Sequence, residues 1–304
     1  MASEKRMFFR FDVSLPYYLE SMSSEQECFQ TDKSKIISPS EKQDLKVLNE
    51  SLEQIFKDSD HVQNGSVEVF LGLNQKLDFM VWLLESLIEG DDVLKSDQYQ
   101  QYWYDQQRFI IPSSKKSSKI LPLLQAFSNR IDLHIDELID VMKNRLGSNI
   151  FIYGQSHIKL FSLHHYISGL DVLAEKGNWL AQIIVTLTKK LNAYETLLLK
   201  LKKVHKKLSD TDNWNHEKVN LGEGGFAIYS EQHFELNQKV CVLLKLEETF
   251  IFAKAFCVYQ TSQTDKLSYN RTAFQFEEIS SEDSAHIVRF LMAQELAFHQ
   301  VNHD

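Results

Sequence analysis

Apolar positions along the 304-residue chain change period twice, and those changes divide it into three zones. At the start, Phe9, Phe11, Val13, Leu15 and Tyr17 alternate with polar or smaller residues, the period of a strand, and Pro16 marks its edge or end. The polar stretch from Ser21 to Ser40 reads as a linker. From residue 41 to about 208 the spacing becomes three and four. Leu45, Leu48, Leu52 and Ile55 follow Ser40 as N-cap with Gln43 three residues on; Leu73, Leu77, Met80, Leu84 and Leu87 stop at Gly90. Ile120, Leu124, Phe127, Ile131, Ile135 and Leu138 form a third helix that ends before Gly147. The last stripe, Leu180, Ile184, Leu187, Leu191, Tyr194, Leu198, Leu201, His205 and Leu208, repeats every 3.5 residues, the period of a coiled-coil seam. Such a helix is roughly 40 Å long and must bury its stripe on other helices. Lys95 to Lys119 reads as an exposed excursion between helices.

The third zone returns to short β-rich runs, Phe226–Ser230, Lys239–Leu246, Ile251–Tyr259 and Thr272–Glu277, separated by polar turns. Ser281 and Asp283 open a final helix carrying Ile287, Phe290, Leu291, Leu296 and Phe298. One short strand cannot fold alone, so the first strand is expected to join this C-terminal sheet, which makes the helical zone an insertion. The predicted class is α+β: an antiparallel barrel with a C-terminal helix, split by a large helical bundle or coiled coil. The expected segments are 1–20 for the first strand, 21–40 for a linker, 41–210 for the inserted helices, and 211–304 for the rest of the barrel.

Composition narrows the function classes. Ten Gly and four Pro exclude a fibrous chain, and 43% hydrophobic residues suffice for a packed core. A formal charge of −9 argues against nucleic acid or an anionic membrane as partner for the whole surface. No apolar run approaches the ~18 residues of a membrane span, and the N-terminus lacks a signal-peptide core, so a cytoplasmic protein is expected. Three widely spaced cysteines, Cys28, Cys241 and Cys257, without CxxC, read as buried thiols in a reducing compartment.

Catalytic signatures are missing: HExxH, GxSxG, GxxxxGK[ST] and GxGxxG do not occur. Leu221-Gly222-Glu223-Gly224-Gly225-Phe226 has the look of a kinase glycine loop, but no VAIK, HRD or DFG follows it. No enzyme activity, cofactor or metal is expected. His164 and His165, and His299 four residues from Glu295 and His303, are read as packing or solvated residues rather than ligands. The lysines at 200, 202, 203, 206 and 207 are read as a wet helix face that complements the dipole.

Two weak signals remain and belong together. Arg6 and Arg10 stand four apart at the entrance to the first strand, and Asn220-Leu221-Gly222-Glu223-Gly224-Gly225 is a glycine-dense turn leading into Phe226. As a pair they resemble the PilZ family of cyclic di-GMP receptors, whose pattern is RxxxR, a strand, then [D/N]xSxxG. Arg6 and Arg10 match the first motif; Asn220 and Gly225 match the ends of the second, and Gly222 stands where the family usually has serine. Arg10 to Pro16, Gly225 to Leu246 and Phe274 to Asp283 are also similar to the family's strands and closing helix, about a third of the chain. The resemblance implies a six-stranded barrel that binds cyclic di-GMP through Arg6, Arg10, Asn220, Gly222 and Gly225. Arginine forks suit phosphate oxygens and guanine edges, and glycines admit close backbone approach. It further implies a bacterial signalling receptor for motility, pili, biofilm or virulence, working through a homo-oligomer of its helical insertion or an unknown protein partner. The rival expectation is a scaffold of the same fold that assembles through its helices without nucleotide.

Overall fold

The computed structural model describes residues 10–22, 28–29, 36–59, 64–111, 120–144, 161–162, 169–262 and 270–301. The chain divides into two compact units: one carries every strand and the C-terminal helix, the other the helices lying between the first and second strands in the sequence. Arg6, His164, His165 and His303 lie outside the described residues.

The strand unit is a closed antiparallel barrel of six strands. They are β1 (Arg10–Ser21), β2 (Asn215–Gly222), β3 (Gly225–Ser230), β4 (Lys239–Leu246), β5 (Thr249–Ser262) and β6 (Asn270–Ile279), in the spatial order β1-β2-β3-β6-β5-β4. Alternation explains its interior: Val13, Leu15 and Tyr17 face Val219, Leu221, Phe226, Phe274, Val242 and Leu244 in one apolar core. Phe226 and Phe274 stack at 4.9 Å between centroids. Closure leaves no unpaired edge, the main liability of an antiparallel sheet.

Pro16 neither ends β1 nor lies on an open edge, as had been expected. β1 pairs with β2 from Arg10 to Tyr17 and with β4 from Tyr17 to Ser21, so the proline sits where the strand changes partner. The missing N–H falls where the second ladder has not yet begun. β2 escaped the sequence pattern because only Val219 and Leu221 are apolar in it, and its first four residues are exposed. Ile287 and Leu291 of the last helix, Ser281–Val301, pack into the barrel core beside partly buried Phe290.

The expected thiols are also corrected. Cys28 and Cys241 form a disulfide across 213 residues of sequence, with Cα atoms 5.7 Å apart, while Cys257 is free and buried. Wide spacing hid the pair, since a disulfide needs proximity in space and not in sequence. It sits in an aromatic cluster with Phe29, Trp214, Tyr18 and Phe252.

The helical unit contains α1 (Pro39–Lys57), α2 (Asn64–Glu89), α3 (Asp97–Arg108), α4 (Ile120–Lys143), α5 (Leu170–Glu175) and α6 (Trp179–Val204). The cap of α1 is Ser38 rather than Ser40: its hydroxyl accepts from the Glu41 N–H, and the Glu41 carboxylate accepts from the Ser38 N–H, with Pro39 at the first helical position. The stretch read as an exposed excursion holds α3, capped by Ser96. Its composition is polar, yet Tyr99, Tyr102 and Trp103 fall on one side and meet Phe79 and Trp82 of α2; the Phe79 and Tyr102 rings stack at 5.2 Å.

The long stripe on α6 lies within this one chain's core. Ile184, Leu187, Leu191, Tyr194, Leu198 and Leu201 are buried with Leu52, Leu84 and Leu138, and Ala181, Ile183, Val185 and Leu197 are buried as well. Burial on several sides makes α6 the central helix of the unit, with its stripe covered by helices of the same chain. α6 ends at Val204, and the stripe's last residue, Leu208, joins the aromatic cluster of the barrel unit. Among the described residues, no helix is long and apolar enough to cross a membrane, and no group of three His, Cys, Asp or Glu side chains is placed to hold a metal.

Candidate functional site

Register places four of the sequence-derived residues together. Arg10 lies opposite Gly222, and Asp12 opposite Asn220, in the β1–β2 ladder. Gly222 lies opposite Gly225 across the Glu223-Gly224 hairpin turn, and Asn220 opposite Ala227. On β6 the row continues to Gln275 and Ala273. Val13, Leu221, Phe226 and Phe274 point into the core, so the alternate residues point outward.

The barrel's outer face therefore carries two adjoining rows. One reads Arg10, Gly222, Gly225, Gln275, and the other Asp12, Asn220, Ala227, Ala273. Four of these eight positions carry no side chain beyond a Cβ, and three of them, Gly222, Gly225 and Ala227, are buried, so the shelf between an arginine and an amide is partly covered. Gly225 is indispensable to it. Its φ is +154°, and a Cβ there would meet the Phe274 carbonyl oxygen at 2.2 Å.

Asn220 is a strand residue rather than part of the turn, and its amide is engaged: Nδ2 donates to Asp12 Oδ1 at 2.6 Å. Beyond the hairpin, Ser284 in the first turn of the last helix donates to Glu223 Oε1 at 3.5 Å. Nearby, Asp283 has its pKa raised by burial, against a lowering hydrogen bond from Ser280. Gln275 and the Asp12–Asn220 bond were not among the sequence-derived residues. The signal for Gln275 was present, since Phe274 and Phe276 flank it and send it outward; the signal for the Asp12 contact was not, because it depends on register across 208 residues.

A second concentration of polar chemistry lies inside the helical unit. Lys76 of α2 pairs with Asp132 of α4 at 2.6 Å, Arg130 of α4 with Glu195 of α6 at 2.6 Å, and Lys190 of α6 with Asp78 of α2 at 2.5 Å. Each of the three helices thus gives a cation to one neighbour and a carboxylate to the other. Lys76-Leu77-Asp78 and Arg130-Ile131-Asp132, similar only in helix grammar by sequence, are two corners of this ring.

Lys76, Lys190 and Glu195 are 7%, 3% and 0% exposed. Glu195 Oε1 also takes a hydrogen bond of 2.8 Å from His134 Nε2, and Oε2 accepts the Phe161 N–H at 3.2 Å. Burial alone would raise the Glu195 carboxyl, but His134 and Arg130 outweigh it and the pKa falls below the ordinary value. For His134, burial lowers the pKa, yet hydrogen bonds to Glu137 and Glu195 raise it overall. Mutual saturation of this kind describes a structural network rather than a reactive one. The lysines read as a wet face are partly drawn in too: Lys200 pairs with Glu41 at 2.5 Å and Lys202 with Glu137. His299 lies 3.9 Å from Glu295 on an exposed helix face, and among the described residues no third ligand joins them.

The shelf therefore sets a guanidinium and an amide beside a glycine-rich, buried stretch of backbone, chemistry suited to an anion or a planar polar ring. No protein-family model, no curated protein and no solved structure matches this chain.

Proposed function

We propose that the protein is a non-enzymatic receptor of the PilZ type that binds cyclic di-GMP on the β1–β2–β3 shelf. One observation carries the reading: the row Arg10, Gly222, Gly225, which joins the two halves of the sequence resemblance on a single face. Arg10 supplies the fork for a phosphate or a guanine Hoogsteen edge, the paired glycines keep side chains out of the row, and Gln275 adds an amide at the far end. Arg6 completes the motif in sequence.

Calorimetric titration with cyclic di-GMP tests this. Binding is expected, with Arg10→Ala costing ~1.5–3 kcal/mol and Arg10→Lys most of that, since an ammonium neither forks nor stacks. Absence of heat and of a thermal shift at high ligand concentration defeats the receptor reading. The second reading is a scaffold of this fold that assembles without nucleotide. The bond between Asn220 and Asp12 favours it, because the amide that the motif would offer to a base is already spent inside the protein.

A further inference from the structure

A cleft of about 250 Å³ opens between α2 and α3 in the helical unit. Three aromatic rings wall it: Phe79 of α2, Tyr102 of α3, and Phe109 at the C-terminal cap of α3. Gly72 explains where Phe109 sits. A glycine inside a helix weakens it, but a Cβ at this position would meet the Phe109 ring carbons at 2.3 Å. Its absence lets the ring lie against the α2 backbone.

The polar groups of the cleft are few and fixed. Lys76 is 7% exposed, and its ammonium donates to Ser128 Oγ at 2.8 Å and to Asp132 Oδ2 at 2.6 Å. The other oxygen of that carboxylate accepts from Gln106 Nε2 at 2.9 Å. A carboxylate only accepts, so the Gln106 amide cannot turn over, and its carbonyl is the end left for something else. Oε1 of Gln106 is buried and has no hydrogen-bond partner among the described residues. Native proteins avoid a buried amide oxygen without a donor, because it has lost water and gained nothing. Held by one carboxylate, the orphan acceptor and the buried ammonium stand side by side on the cleft lining.

We propose that this cleft binds a small uncharged planar ring with an N–H beside a carbonyl, the chemistry of a cyclic lactam or imide such as a pyrimidine base. The ring N–H would donate to Gln106 Oε1, the ring carbonyl would accept the third N–H of Lys76, and the ring faces would pack on the aromatic walls. The volume suits a single ring and lies just under that of drug-sized sites. Asp105 and Asp78 on the same lining disfavour a phosphate, so the site is distinct from the barrel shelf and does not rest on the receptor reading.

Uracil titrated into the full-length protein by calorimetry, at concentrations up to about 10 mM, tests the proposal. One site per chain is expected, with a Kd on the order of 1 mM for so small a ligand. N,N′-dimethyluracil keeps the ring and its carbonyls but has no N–H, and should bind at least about 10-fold more weakly. Gln106→Met keeps the length of the side chain and removes its oxygen, and should weaken uracil about 5-fold or more. Gly72→Ala, which drives the Phe109 ring from its place, should do the same. No binding of uracil overturns the proposal and leaves the Gln106 oxygen to a bound water. Equal binding of the dimethylated ring also overturns it, because the ring is then held without the amide. Unchanged affinity in Gln106→Met does so too, since uracil then sits elsewhere. The comparison of the two ligands needs no substitution, so it stands even if a variant loosens the helical unit.

Discussion

The barrel and the helical unit solve the same problem, a unique register, with different interiors. The barrel core is almost wholly apolar: among its described buried positions Thr272 is the polar one, and Gln260 Nε2 donates to its hydroxyl at 3.0 Å. The helical core, equally rich in leucine, carries buried Lys76, Lys190, Glu195 and His134. A closed sheet fixes register through its backbone ladders, where slipping one residue turns every side chain to the wrong face. Helices have no such ladder between them and can slide or rotate over a leucine surface at modest cost. Three cyclic ion pairs forbid that motion, because a shift on any one helix strands two charges. Net stability from such pairs is small, since desolvation cancels most of the attraction; what they supply is the cost of the alternatives.

The largest expected effect breaks that contrast at Glu195. Glu195→Ala removes the buried carboxylate that Arg130 and His134 share and should destabilise the helical unit by ~3–5 kcal/mol. Hydrogen exchange should quicken in α2, α4 and α6 while the six strands stay protected. Equal quickening in the strands would mean that the two interiors are not independent.

Next in size is the disulfide, which belongs to the barrel side. Cys28→Ser should lower stability by ~2–4 kcal/mol under non-reducing conditions and leave the protein insensitive to added reductant, whereas the unmutated protein loses a similar amount on reduction. A melting temperature untouched by reductant would remove this cross-link from the account.

The smallest effect sharpens the comparison by pH. Burial lowers the pKa of His205, at the end of α6, to about 4 from an unfolded value near 6.5. A depressed folded pKa means that stability is complete above 6.5 and declines as the pH falls towards 4. His134 has the opposite sign: its raised pKa makes its contribution complete below 6.5 and lost as the pH climbs through the folded value. His205→Phe should flatten the acid limb of the melting profile between pH 6.5 and 4, and His134→Gln should leave that limb in place. Unchanged acid sensitivity in the His205 variant would refute the assignment.

Elements with strong periods are legible in the sequence alone. Lys239–Leu246 was expected and observed with the same ends, and the stripe from Ile184 to Leu201 is one buried face of a helix. Weak or mixed periods misled: β2 has two apolar residues in eight, and α3 hides an aromatic face in a Gln- and Tyr-rich composition. For the candidate site, the alternation around Arg10 and Phe226 was enough to place both motifs at strand edges, and Gln275 could have been added by the same rule. The amide of Asn220 could not be judged, because Asp12 reaches it only when β1 and β2 are in register.

What the sequence by itself determined is local: which segments are helices or strands, which face of each is apolar, and where caps and glycines punctuate them. These follow from side chains within a turn or two of one another. Only the tertiary structure decided which chain covers the α6 stripe, that Cys28 meets Cys241, that three helices exchange charges in a ring, and that Arg10 shares a row with Gly222 and Gly225. These depend on residues far apart in the chain, 56 positions at the nearest corner of the ring and 213 across the disulfide, and a periodicity states which face will be buried without naming the surface that buries it.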